Sequence, residues 1–164
     1  MNPYEALLER FTSTGTPFRE LSHPPAAAAA DYHVVVGSRL AQQAKALLFR
    51  RYRRDGRKDY LVYAVPGDRT ADLDALRTVA SSTRLRLATA EELGRVTGCR
   101  FGELPPVGSI FGVELILDER LASEPELYFN AGRLDRSFVV EPRHLLALER
   151  PTILPVTDDR DSGA

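Results

Sequence analysis

The chain has 164 residues, 43% of them hydrophobic and 27% charged, with a formal net charge of −1. That balance fits one soluble globular domain with a sizeable core and excludes a protein that holds nucleic acid by overall charge, so any such contact needs a local basic patch. A single cysteine, Cys99, excludes an internal disulfide and a multi-cysteine metal site, and no run approaches the ~20 apolar residues of a membrane span, so a cytoplasmic protein with no membrane partner is expected.

Tyr4, Leu7, Leu8 and Phe11 lie at i, i+3, i+4 and i+7, which predicts a helix opened by Asn2-Pro3 and closed by Gly15. Pro17 to Leu21 reads as a short strand ended by His23-Pro24-Pro25. The alanines from Ala26 to Ala30 allow a helix or a loop. Val34-Val35-Val36 is a short apolar run stopped by Gly37, and Ser38 to Ala44 reads as helix or loop. Strands are expected over Lys45–Arg53 and Tyr60–Val65, joined at the turn signal Asp55-Gly56.

A helix carrying Leu73, Leu76 and Val79 follows, capped by Thr70 or Asp72. Leu85 to Ala88 is a short strand. Thr89 with Glu92 has the form of a capping box, and the helix it opens should stop at Gly98. Gly98 to Gly108 is a glycine- and proline-rich loop. Strands are expected at Val113–Leu117, Leu127–Phe129 and Phe138–Val140, with Asp118-Glu119 beginning a turn and Asn130-Ala131-Gly132 a break. Pro142 to Leu148 reads as a helix, and residues 151–164 as a fraying tail after a domain of residues 1–150.

Few residues carry recognisable chemistry. His23, His33 and His144 stand apart with no metal spacing, so neither a metal nor a cofactor is expected. Lys45 is conspicuous, because a lysine at the head of a buried strand is either used or snorkels to water. Arg50, Arg51, Arg53, Arg54, Arg57 and Lys58 form the dense basic patch. It reads either as a charged guard on a hairpin edge or as a phosphate-contacting surface.

Three separated stretches, Gln42-Gln43-Ala44-Lys45-Ala46-Leu47, Gly102-Glu103-Leu104-Pro105-Pro106 and Phe129-Asn130-Ala131-Gly132 with Asp135 and Ser137, resemble in order and spacing the YbaK/ProX family of aminoacyl-tRNA deacylases. These are relatives of the prolyl-tRNA synthetase editing domain, and the likeness is strongest to the YeaK-type branch. It extends from about Tyr4 to Leu148 and includes Gly37-Ser38, Leu87 to Leu93 and Thr97-Gly98. The resemblance implies a single α/β domain, a curved mixed sheet surrounded by helices, and a pocket for a small misattached amino acid.

By motif match, Lys45 and Gly102 take catalytic positions. Ser38, Glu103, Leu104, Pro105, Pro106, Asn130, Gly132, Asp135 and Ser137 take substrate-binding ones. Relatives often carry Ile-Arg-Gly-Thr where this chain has Val35-Val36-Gly37-Ser38, which bears on which amino acid is preferred. The implied activity is trans-editing: hydrolysis of a serine, threonine or alanine ester on mischarged tRNA, with or without a synthetase partner. Lys45 could act as a charged anchor for the terminal phosphate and ribose or, with a lowered pKa, as a base. A silent tRNA- or synthetase-binding module and a small-ester hydrolase are the competing expectations.

Overall fold

In the computed structural model, which describes residues 1–156, helices surround two sheets. Helix α1 (Pro3–Ser13) starts at a capping box between Asn2 and Glu5 and buries Leu7 and Phe11, the face that the sequence spacing predicts. Strand β1 (Arg19–Ser22) follows. The alanine segment stays extended through Ala28, after which α2 (Ala29–Val36) runs to Gly37 in the left-handed conformation. The valine run is therefore the end of a helix. Ala29 and Ala30 start that helix, a contribution the valines alone do not reveal.

A turn of 3-10 helix at Leu40–Gln42 delivers the chain into β2 (Ala44–Arg53), and β3 (Lys58–Pro66) returns beside it. Asp72 caps α3 (Leu73–Val79), and β4 (Ser82–Leu87) lies on the outer side of β2. Helix α4 (Ala90–Thr97) has the Thr89–Glu92 capping box and the left-handed Gly98 stop that its sequence predicts. Next come β5 (Glu114–Asp118), α5 (Glu119–Ala122), β6 (Leu127–Arg133), β7 (Arg136–Val140) and α6 (Pro142–Glu149).

Contrary to the expected tail, Thr152–Leu154 forms β8, a parallel edge strand on β5. The rest of the expected tail, residues 157–164, lies outside the described residues. Asn130 to Gly132 does not end its strand either. It is a bulge within β6, where pairing with β7 shifts between Asn130 and Arg133.

The expected curved sheet is divided. One sheet has the order β4-β2-β3-β5-β8 with mixed directions, the other β1-β7-β6, all antiparallel. A single bridge, Gln43 to Tyr128, joins them. Strands β3 and β5 are covered on both sides, which is why Leu61–Val65 and Leu115–Leu117 read as unbroken apolar runs. One core packs α1, the small sheet and one face of the large sheet around Phe11, Leu48 and Phe138. The other packs α3 and Leu154 on the opposite face, around Phe49, Tyr63 and Ile116. The two sheets part where β2 leaves the bridge, and a cavity opens at that seam.

Candidate active site

Strand β2 has two open flanking positions before it meets β4. The β2–β4 pairing begins at Phe49 opposite Leu87, and Leu48 O already accepts from Ala88 N–H at 2.9 Å. In an antiparallel ladder alternate residues aim their peptide groups to alternate sides. The peptide of Ala46, two residues before Leu48, therefore also points toward the β4 side, where no strand continues. The space it faces is a cavity of about 140 Å³. This is smaller than the ~300–1,000 Å³ of a drug-sized pocket and suits a small acyl group.

The cavity follows the free edge of β2, so both faces of the strand border it. Ala44, Ala46 and Leu48 belong to one face, Lys45 and Leu47 to the other. Ala27, Ala28 and Ala29, at the start of α2, form a wall of methyl groups. Leu87, Ala88 and Leu93 close the β4–α4 side, and Phe101, Gly102 and Leu104 the loop side. Phe129 and Asn130 come from β6.

Lys45 is half-buried, and its Nζ donates to Arg69 O at 3.0 Å in the turn after β3. Burial lowers its pKa from the ordinary lysine value, partly opposed by the nearby Asp68 carboxylate. Lys45 thus lines the cavity, and its ammonium, bonded to Arg69 O, keeps two of its three hydrogens without a hydrogen-bond partner among the described residues.

Gly102 has φ +87°, open to glycine and strained for other residues, and an added Cβ would stand 2.7 Å from Ala27 Cα. The loop is pressed against the alanine wall. Asn130 fixes that contact: its Nδ2 donates to Ala26 O at 2.8 Å and to Gly102 O at 2.9 Å. Behind it, Ser137 Oγ donates to Asn130 Oδ1 at 3.3 Å and accepts from Tyr32 O–H at 2.7 Å, and His23 Nε2 lies 2.7 Å from the same oxygen. The N–H groups of Gly102 and Leu104 form no hydrogen bond among the described residues.

Of the residues expected from sequence, Lys45, Gly102, Leu104 and Asn130 therefore meet at the cavity. Others stand back from it. Ser137 lies a layer behind, as described. Glu103 caps Arg100 N–H, and Pro105 and Pro106 are buried under the loop. Gly132 does not reach the cavity. Its N–H donates to Glu103 O, and its α-carbon abuts the start of α1, where a Cβ would come within 2.7 Å of Tyr4 N. Asp135 is turned outward into an ion pair with Arg133. Ser38 is buried just after α2 and is not among the lining residues, and its Oγ has no partner among the described residues.

The basic hairpin is likewise split, by the two-residue alternation of a strand. Arg51 is 2% exposed and holds Asp59, Glu114 and Ala80 O on the α3 face, so it is a structural cation and not a nucleic-acid contact. Arg53 shares Asp59, and Arg57 pairs with Asp55 in the turn. Arg54 is exposed there. Arg50 and Lys58 point to the opposite face. Sequence reasoning missed Gln43, whose buried Oε1 has no partner and which lines the cavity, and the alanine wall. Gln43 was legible as a polar residue two places before Lys45, whereas the wall had no signal beyond its composition.

Comparison with known proteins agrees with this architecture. The chain is 28% identical over 152 residues to the "Multifunctional Ser/Thr-tRNA deacylase ProXp-y" of Escherichia coli K12, covering 92% of this chain and 90% of that one. It is 33% identical over 105 residues to a proline–tRNA ligase of Geobacillus thermodenitrificans, covering 58% of this chain and 18% of the ligase. Among solved structures, a candidate trans-editing enzyme for prolyl tRNA synthetase superposes with a TM-score of 0.80 at 25% identity, over 96% of this chain and 99% of that one. The family model described as the aminoacyl-tRNA editing domain matches residues 23–148, and with that match the chain belongs to the aminoacyl-tRNA editing domain family.

Proposed function

We propose that this protein is a trans-editing deacylase that hydrolyses the ester joining a small misattached amino acid to the terminal ribose of tRNA. Serine and threonine are the preferred residues and alanine the next. The observation that carries this reading is the small cavity lined at once by Lys45, the free edge of β2 and the Gly102–Leu104 loop, two of whose N–H groups are unpaired among the described residues. The Ser/Thr-tRNA deacylase named for E. coli, a relative of this chain, supports the substrate class.

In the reaction a water adds to the ester carbonyl carbon, and the carbonyl electrons move to oxygen. The N–H groups of Gly102 and Leu104 are the donors positioned for that oxyanion. Such fixed donors contribute about 2.7–4 kcal/mol each where they have been removed. Collapse of the intermediate expels the ribose oxygen, which takes a proton, and frees the amino acid. Lys45 stays charged and anchors the terminal phosphate and ribose. The neighbouring ribose hydroxyl relays the proton: it accepts one from the water as it passes its own to the departing ribose oxygen.

Selectivity follows from size and from polar groups left unpaired. The alanine wall limits the side chain, and a methylene discriminates by about 1–3 kcal/mol. Asn130 has both its donors committed to the wall and the loop, so it is a positioning residue. Gln43 lines the cavity, but its Oε1 is buried against Gly67, so the polar selection falls to the main chain of the cavity wall. A synthetase partner belongs to the same reading, supported by the likeness to part of a proline–tRNA ligase.

The test is hydrolysis of tRNAs charged with serine, threonine, alanine and larger residues by the purified protein and by Lys45→Ala. Turnover of the small esters, lost about 100-fold or more in Lys45→Ala, is expected from an anchor of this kind. No turnover of any mischarged tRNA by the parent protein overturns the proposal, and full activity in Lys45→Ala overturns the role of the lysine. Normal turnover of a substrate lacking the 2′-hydroxyl rules out the ribose route.

A further inference from the structure

On the sheet face shared by Ala46 and Leu48, the next outward positions form two rows of three. Arg86 of β4, Arg50 of β2 and Tyr60 of β3 stand side by side, and beyond them Arg84, Tyr52 and Lys58. Arg95 of α4 closes over Tyr60, its guanidinium carbon 6.0 Å from the ring centre. The guanidinium of Arg50 lies 4.7 Å from the Tyr60 ring centre, and that of Arg84 5.2 Å from the centre of Tyr52.

We infer that this strip receives the single-stranded 3′ end of the tRNA, holding its phosphates with the arginines and its bases on the tyrosines, and leads the terminal ribose into the cavity. The inference rests on the deacylase reading for the identity of the strand. Several observations carry it. First, placing Arg50 directly opposite Arg86 is unfavourable in itself. Second, the strip holds five cations and one carboxylate, Glu92, which is committed to Arg86 through two bonds of 2.7 and 3.0 Å. Arg50, Lys58, Arg84 and Arg95 have no ion pair among the described residues. Protection of a sheet edge accounts for cations on β4, but β2 is an interior strand paired on both sides over this length.

Third, cationic tracks interleaved with aromatic rings are what single-stranded nucleic acid requires, because every base has a stacking face and every phosphate a charge. Fourth, the strip starts where the cavity ends. Leu48 lines the cavity and Tyr52 lies four residues further along the same face, about 13 Å away.

The experiment measures binding of uncharged tRNA, which does not depend on hydrolysis. Affinity is followed against salt concentration for the parent, for Arg50→Ala/Arg84→Ala, and for Tyr52→Ala beside Tyr52→Phe. A tRNA lacking its four unpaired 3′ nucleotides serves as the second ligand, and Arg143→Ala, on α6, controls for loss of charge alone. The double variant is expected to bind whole tRNA about tenfold more weakly, with the slope of log K against log salt reduced by about 0.7 for each arginine removed. Tyr52→Ala should weaken binding where Tyr52→Phe retains it. The shortened tRNA should bind the parent more weakly and show no further loss in the double variant.

Equal losses for whole and shortened tRNA, or an unchanged slope, overturn the inference. Should the parent protein bind tRNA through the strip yet hydrolyse no ester, the proposed function fails and the strip stands.

Discussion

At Gly102 there is no room for a side chain: φ is +87°, and an added Cβ would stand 2.7 Å from both Cα and Cβ of Ala27. Replacement by alanine has to move either the loop or the alanine wall. Gly102→Ala is expected to cost about 1–3 kcal/mol from the backbone conformation alone. Its deacylation rate should fall well beyond the loss of folded protein, because the loop N–H groups shift with it. Comparing urea unfolding with single-turnover hydrolysis separates the two, and a variant of normal rate would show that those N–H groups are not used. Lys45 was readable in the sequence as an anomaly, a charge entering a buried strand, whereas Gly102 stood out only through its family motif, since a glycine- and proline-rich loop alone reads as a turn. Asp135 and Gly132 share the same short motif with Asn130, but the bulge in β6 turns them away, and the direction of a side chain after a bulge is not written in residue spacing.

Among the elements, those fixed by nearby residues were legible and those fixed by distant ones were not. The helices α1 and α4 carry their own caps, and the Asp55-Gly56 turn sets β2 against β3. Strand β8 has three residues and no pattern of its own, and exists because the parallel edge of β5, some thirty-five positions earlier, was open. Its anchor is Leu154, 4% exposed within the second core. Leu154→Ala should destabilise the protein by about 2–5 kcal/mol, measured by chemical unfolding. A loss within a few tenths would mean that the strand is an ornament on β5. Strand alternation likewise sorted the basic hairpin. Arg-x-Tyr at Arg50 and Tyr52, Lys-x-Tyr at Lys58 and Tyr60, and Arg-x-Arg at Arg84 and Arg86 were each visible as pairs two apart, but their convergence needed the register of three strands.

For the whole molecule, burial leaves a mark on alkaline stability. The Cys99 thiol is pushed up to about 11 from an ordinary 9.0, chiefly by burial. Tyr32 and Tyr63 are also raised by burial, above the range in which they titrate in water. A group whose folded pKa is raised holds its proton more tightly when folded. Its contribution is complete below the unfolded value and disappears as pH climbs through the folded one. Stability should therefore hold to about pH 9 and decline toward pH 11, Cys99 accounting for roughly 2–3 kcal/mol of that fall. Thermal melts of the parent and of Cys99→Ala across this range provide the check: the variant begins lower and declines less. Parallel curves would mean that the thiol is not the source. Overall charge is no guide to partners in this protein, since a net −1 conceals a strip of five cations on one face.

On the proposed reading, the peptide of Ala46, which has no strand partner on its β4 side among the described residues, divides the labour of recognition. Every amino acid carries the same amine and carbonyl, and here a stretch of main chain is offered to them. On the proposed reading, the feature that differs between amino acids meets the remaining walls, Ala27 to Ala29 among them. Exchanging those alanines for larger or smaller residues would therefore retune which residue is cleared, while the docking of the common part persists, because short of proline no substitution deletes an amide hydrogen. A lineage could change its target by altering a wall that no catalytic group occupies.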